Sequence, residues 1–324
     1  MARLVWWVML FCVAGTVAPA QVGTLRSTRF AGREYVRAAD VAGYYNLGSN
    51  RSGASGREEY RREALQFSLV AERRDIRLNN SQHWLNDPVV AVNGRLWISK
   101  ADVLQNLDPI LRPRQHRSAG KVRVIVLDPG HGGGDRGARG TTGRTEKELT
   151  LDLTKRVERH LAASGAKIYL TRRTDTTLAL AERNAYERAR KADLFVSLHF
   201  NAATSSARGI ETFCLPPVGA SSTASPRLRS GDRERQSGNR ADPQNVWLAH
   251  CIQRSLIRAT DAEDRGVRRA RFQVLRDASS PAVLVEAGFL SNRNEESKIL
   301  TPTYRETLAK AIAEGILAYV KSTE

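Results

Sequence analysis

The sequence predicts an α/β fold: a mostly parallel sheet covered by helices on both faces, preceded by a small α+β domain. Three observations predict it. From residue 122 onward, apolar β-branched runs alternate with amphipathic stretches of helical length. Those runs are apolar throughout rather than at every second residue, which is the pattern of strands buried on both faces. Before residue 110 the pattern changes to short runs punctuated by turn residues, with an internal echo. At 324 residues the chain is long enough for one large domain and one small one.

In chain order, MARLVWWVMLFCVAGTVAPAQ comes first, with one basic residue (Arg3), an uncharged stretch from Leu4 to Ala18, and the small-x-small site Ala18-Pro19-Ala20. It reads as a signal peptide over 1–20, so the protein is expected to be exported to the periplasm or cell envelope. A spanning helix needs roughly 20 apolar residues, and this run is shorter. No stable membrane anchor is expected after cleavage, which would also remove Cys12.

GREYVRAADV (32 to 41) and GRLWISKADV (94 to 103) repeat glycine, arginine, an aromatic, a β-branched residue, alanine, aspartate and valine in one register. Each reads as a strand holding Tyr35 or Trp97, followed by a helix opened by Ala39-Asp40 or Ala101-Asp102. Between them FSLVAERRDIRLNN and PVVAVNG read as short strands, and Asn93-Gly94 is a hairpin signal. The small domain is therefore placed at 21–107. This region resembles the N-terminal domain of copper amine oxidases as it recurs in exported cell-wall proteins, but it offers only His83, so no copper site is expected. Residues 108–121, DPILRPRQHRSAGK, read as a linker.

In the α/β region, 122–324, candidate strands are 122–128, 167–172, 193–199, 209–215, 272–276 and 282–287; candidate helices are 146–164, 178–191, 244–260 and 302–321. Ligands in open α/β sheets collect outside the carboxyl ends of the strands. The first strand ends in DPGHGGG, where glycines alone would suggest a phosphate cradle, but His131 sits at the tip. His199 ends the third strand and Glu286 the last, while Glu146 opens the first helix after a glycine-rich return loop.

Two imidazoles and a carboxylate are the protein ligands of many catalytic zinc sites. His131, Glu146 and His199 are assigned as metal ligands, and Glu286 as the acid/base residue beside a zinc-bound water of pKa about 7. Singly, His131 on a glycine turn is a weak signal, Glu146 reads equally well as a helix N-terminal carboxylate with Glu148 as a rival, and His199 as a core histidine. Glu286 follows three apolar residues and is costly to bury without a partner. His83 and His116 lie outside the domain, and His160 and His250 sit on helices facing away from the strand ends.

DPGHGG, Glu146, SLHFNA (197 to 202) and PAVLVEAGFLSN (281 to 292), with TRRTD, KADLFVSLH, GIETF and DRGVRRARFQVLR in order, resemble the zinc-dependent N-acetylmuramoyl-L-alanine amidase family of AmiC-like cell-wall hydrolases. The resemblance implies zinc on His131, Glu146 and His199 and a catalytic Glu286. It also implies peptidoglycan as substrate, cleavage between N-acetylmuramic acid and L-alanine, and a role in wall remodelling and cell separation. An activator protein is a possible partner. Ala189-Arg190 departs from the family's usual alanine-asparagine and should affect packing or rim charge rather than chemistry. Some members carry an inhibitory helix before the catalytic glutamate; here 216–245 is rich in Ser, Gly, Pro and Arg and is expected to be a flexible loop without such a helix.

The net charge of +17, most of it arginine, favours an acidic partner. Export and the lack of an aromatic-studded basic motif argue against nucleic acid. Cys214 and Cys251 permit one disulfide, left unassigned. The rival reading is a catalytically silent peptidoglycan-binding or activator protein; metal content and the effect of Glu286→Ala separate the two.

Overall fold

The computed structural model describes residues 25–50, 56–116, 120–225 and 227–323. The expected signal segment and Cys12 lie outside them. The N-terminal part runs β1 (Ser27–Phe30), β2 (Arg33–Arg37), α1 (Ala38–Tyr44), β3 (Gly48–Asn50), β4 (Arg57–Arg62), β5 (Leu65–Val70), β6 (Asp75–Leu78), β7 (Ser81–Trp84), β8 (Val90–Val92) and β9 (Arg95–Ser99). The two echo copies pair with each other, β2 against β9, with Val36 opposite Ile98. Asn93 and Gly94 take φ of 50° and 69°, as the tight turn between β8 and β9 requires.

Helical pieces α2 (Lys100–Asp102), the π-turn Val103–Leu107 and α3 (Asp108–Leu111) follow, then a 3-10 turn, Pro113–His116. The segment expected as a linker is thus docked through residue 116. Ile110 and Leu111 are buried, and Asp108 gathers Tyr45 Oη (2.7 Å), Arg112 Nη2 (2.8 Å) and His116 Nε2 (2.6 Å). Its prolines start helical turns instead of breaking them.

The C-terminal region runs β10 (Val124–Pro129), α4 (Glu146–Leu161), β11 (Lys167–Leu170), α5 (Leu180–Ala189), β12 (Leu194–Asn201), β13 (Ile210–Cys214), α6 (Asp242–Ala259), β14 (Asp264–Arg269), α7 (Gln273–Arg276), β15 (Ala282–Phe289), α8 (Arg293–Ile299) and α9 (Pro302–Thr323). One expected strand is corrected. Within 272–276, Gln273–Arg276 form the single-turn helix α7, which buries Val274 and Leu275, and the strand lies earlier, over DRGVRR. A short apolar run does not distinguish helix from strand, and the arginines that disguise β14 find partners described below.

Strands β11, β10, β12 and β15 are parallel neighbours, β13 joins β15 antiparallel, and β14 lies parallel to β13. The sheet then continues through β7, β6, β5, β4 and β3, so these N-terminal strands extend the central sheet, while β1, β2, β9 and β8 form a separate four-stranded sheet. Alternate residues face opposite cores: Ile125, Leu127, Val196 and Leu198 face α4, α6 and α9, while Val126, Phe195 and Leu284 pack with Val274 and Leu275 of α7. Both faces are covered, which is why these strands are continuously apolar.

The segment expected as a flexible loop is anchored. Arg269 and Thr223 exchange hydrogen bonds of 2.7 and 2.8 Å, Arg271 Nη1 lies 3.0 Å from Asp232 Oδ1, and Asn239 donates to Pro216 O at 2.9 Å. Its described residues before α6 hold two 3-10 turns, Ser230–Arg233 and Ser237–Ala241. No helix among the described residues is long and apolar enough to cross a membrane. Cys214 and Cys251 are free and buried.

Candidate metal centre

At the end of β10 the chain turns sharply. His131 adopts φ of 61°, a conformation that costs a non-glycine residue about 1–3 kcal/mol. Two buried arginines hold the turn. Arg183 donates to His131 O at 2.9 Å and to Pro129 O at 2.9 Å; Arg172 donates to Pro129 O at 3.1 Å and Gly130 O at 2.7 Å. Arg183 is in turn neutralised by Asp128 at 2.7 Å, and Asp128 also accepts from Thr171 (2.6 Å) and Ser197 (2.8 Å). Burial works to raise the Asp128 pKa, but the Arg183 charge and these donors outweigh it, and the carboxyl stays below its usual range.

The turn presents His131 to Glu146, the first residue of α4. His131 Nε2 lies 3.0 Å from Glu146 Oε2 and His199 Nδ1 lies 2.8 Å from Glu146 Oε1. One ligand atom from each of the three residues falls within 4.8 Å of the others, a group able to hold a metal ion. Two neutral-capable imidazoles and one carboxylate suit a borderline-soft divalent ion. The site leaves no room for side chains around it: a Cβ on Gly130 would overlap the His199 ring, and one on Gly137 would sit 2.5 Å from His131 Cδ2.

Glu146 is further fixed by Ala138 N (2.8 Å) and Phe200 N (3.2 Å). Burial raises its pKa, but the hydrogen bonds and charges of His131 and His199 prevail and hold it well below the usual range. Its rival Glu148 is exposed and faces Arg144 at 3.4 Å. His131 Nδ1 meets Asp135 Oδ2 at 2.8 Å, the carboxylate partner that orients a metal-binding imidazole.

Glu286 stands opposite His199 across β15 and β12, and opposite Glu211 across β15 and β13. The three side chains therefore lie in one row on one face of the sheet. Glu286 Oε2 is buried with no hydrogen-bond partner. Desolvation lifts its pKa well above the usual carboxylate range, and Glu146 and Glu211 push it the same way. A buried carboxylate oxygen left without a partner beside a group able to hold a metal ion makes Glu286 a candidate for acid/base chemistry.

Residues 125–318 match the family model described as N-acetylmuramoyl-L-alanine amidase. The chain belongs to that amidase family. It is 34% identical over 265 residues to the amidase AmiC of Neisseria meningitidis serogroup B, covering 74% of this chain and 63% of that protein. It is 33% identical over 246 residues to AmiA of Escherichia coli K12, covering 68% and 84%. Its catalytic region superposes on the CwlD amidase from Clostridioides difficile, solved in complex with the GerS lipoprotein, with a TM-score of 0.52 and 30% identity over 61% of this chain and 98% of that one. The chain thus spans less than two thirds of the Neisseria relative.

All four residues singled out in the sequence of this amidase-family member meet at one edge of the sheet. The others fall elsewhere: His116 on Asp108, His160 on Glu306 (2.8 Å), and His83 against His250 (2.9 Å), both fully buried. Arg190 stacks over Tyr169 and Tyr186, away from the chemistry. Sequence reading missed Asp135, Asp128, Arg172, Arg183 and Glu211. A carboxylate four residues after His131 was a usable signal for Asp135; the arginines carried none, because surface arginines abound in this chain.

Proposed function

We propose that this chain is an exported zinc enzyme that hydrolyses the amide joining the lactyl group of N-acetylmuramic acid to L-alanine, releasing stem peptides from peptidoglycan. The observation that carries the reading is the register of Glu286 with His199, beside the His131–Glu146–His199 cluster. Family membership supports the reaction class. His131, Glu146 and His199 would hold the ion. Zinc bound there supplies Lewis acidity toward the scissile carbonyl and lowers the pKa of water.

The protein's own residues do the rest. Asp135 fixes the His131 ring so that Nε2 faces the cluster. Glu286, raised in basicity by its surroundings, takes a proton from the attacking water as the C–O bond forms, and passes it to the alanine nitrogen as the C–N bond breaks. The products are a lactyl carboxylate and a free amine. The basic surface suits a substrate whose muramyl and stem-peptide groups carry carboxylates.

Export to the periplasm or envelope, by way of the 1–20 segment, and a role for the N-terminal part in positioning the enzyme on the wall or on an activator protein belong to the same reading. Mass spectrometry of a sacculus digest tests it: intact stem peptides with free glycan strands are expected, and cleavage within the peptides would contradict it.

A further inference from the structure

The motifs GIETF and DRGVRR play no part in holding a metal, yet they meet next to the catalytic row. Glu211, buried opposite Glu286, accepts from Asn201 Nδ2 (2.8 Å), Arg265 Nε (2.9 Å) and Arg268 Nη1 (2.7 Å). The two guanidiniums neutralise a carboxylate that would otherwise face Glu286 across one strand spacing. Their own positions are set by aromatic faces: Arg265 lies 4.8 Å from the Phe289 ring centroid, and Arg268 lies 4.9 Å from that of Trp84 and 6.0 Å from that of Phe213.

Trp84 comes from β7, in the N-terminal part. Its Nε1 also donates to Arg265 O at 2.9 Å, so one indole touches both arginines. The strand carrying it has little freedom to slide. Val267 of β14 registers with His83, Gln82 N donates to Asp264 Oδ2 at 2.8 Å, and a Cβ on Gly266 would lie 2.6 Å from Gln82 O. On the other side of β7, His83 locks onto His250 of α6.

We propose that Trp84 is a positioning residue for the catalytic centre: through β7 the N-terminal part holds Arg268 and Arg265 on Glu211, and so fixes the side chain beside Glu286. The inference rests on the reading of Glu286 as the proton carrier. Without the indole, Arg268 loses its platform and Arg265 its backbone tether. Glu211 is then less firmly paired, and its charge acts on Glu286 in a partly dry site where charges are weakly screened.

The test is steady-state kinetics on a soluble muropeptide with the full chain, comparing Trp84→Ala, Trp84→Phe, Glu211→Gln and the double variant Trp84→Ala/Glu211→Gln, with bound metal and thermal melting recorded for each. Trp84→Ala is expected to lower kcat roughly tenfold with KM and metal content unchanged, and Trp84→Phe, which keeps the aromatic face, to recover most of the loss. In the Glu211→Gln background Trp84→Ala should add nothing, because the charge it releases is gone. Unchanged kcat in Trp84→Ala, or losses that multiply in the double variant, would overturn the proposal. If Trp84→Ala does not fold, Arg268→Lys takes its place with the same expectations, since it keeps the charge but loses the planar stack. Glu286→Ala run alongside separates the two claims: activity surviving in it sinks the mechanism, whereas its loss with Trp84→Ala unaffected sinks only this inference.

Discussion

At the residue scale, the site depends on orientation as much as on ligand identity. His131 was legible in the sequence because a histidine replaces the residue a phosphate loop would place there, but its orientation was not. The ring is steered by Asp135 through Nδ1 at 2.8 Å, and the backbone beneath it is held in a left-handed turn by Arg172 and Arg183. Asp135→Asn should therefore weaken metal affinity by about 10- to 100-fold, measured by competition with a chromophoric chelator. Wild-type affinity would show that the hydrogen bond is incidental. Asp128→Ala leaves the buried Arg183 without its counter-ion and should destabilise the fold by about 3–5 kcal/mol, as read from urea denaturation; an unchanged midpoint would contradict the arginine clamp.

At the level of elements, the parallel strands and their helices were legible because burial on both faces makes each strand apolar without interruption. β14 was not, since its arginines serve Glu211 and the backbone of neighbouring segments, and a charged strand looks like a loop until its partners are known. The contact of β7 with α6 was equally hidden, as its two histidines are 167 residues apart. Burial depresses both imidazoles, with Arg269 and His250 adding to the effect on His83; His250, further lowered by Arg254, falls to about 3. The unfolded chain consequently takes up these protons first as pH falls. The stability they contribute is complete above about pH 6.5 and is lost below it, at about 1.4 kcal/mol per unit for each histidine. Thermal melts at pH 7 and pH 5 should show a smaller acid-induced drop in His250→Gln than in wild type. Equal drops would mean that other groups govern the acid response.

For the whole molecule, the two-part reading of the sequence did not include how the parts join. The α+β region and the catalytic region share one sheet, and Arg269 crosses the boundary to Asn106 Oδ1 at 2.7 Å. Long-range pairing of this kind leaves no local periodicity, so no reading of neighbouring residues reveals it. Removing residues 1–119 would expose the β14 edge and strand Arg269. The remaining fragment should melt about 10 °C lower than the full chain and self-associate through the open edge. A monodisperse fragment with the full chain's Tm would show that the shared sheet adds no stability.

The central claim is that Glu286 moves the proton at a metal centre made by His131, Glu146 and His199. Its most direct test is digestion of purified sacculi by the wild-type protein and by Glu286→Ala, with zinc content measured on both. The account predicts one zinc per chain in each, with stem-peptide release by the wild type alone. Release by Glu286→Ala at the wild-type rate would contradict it.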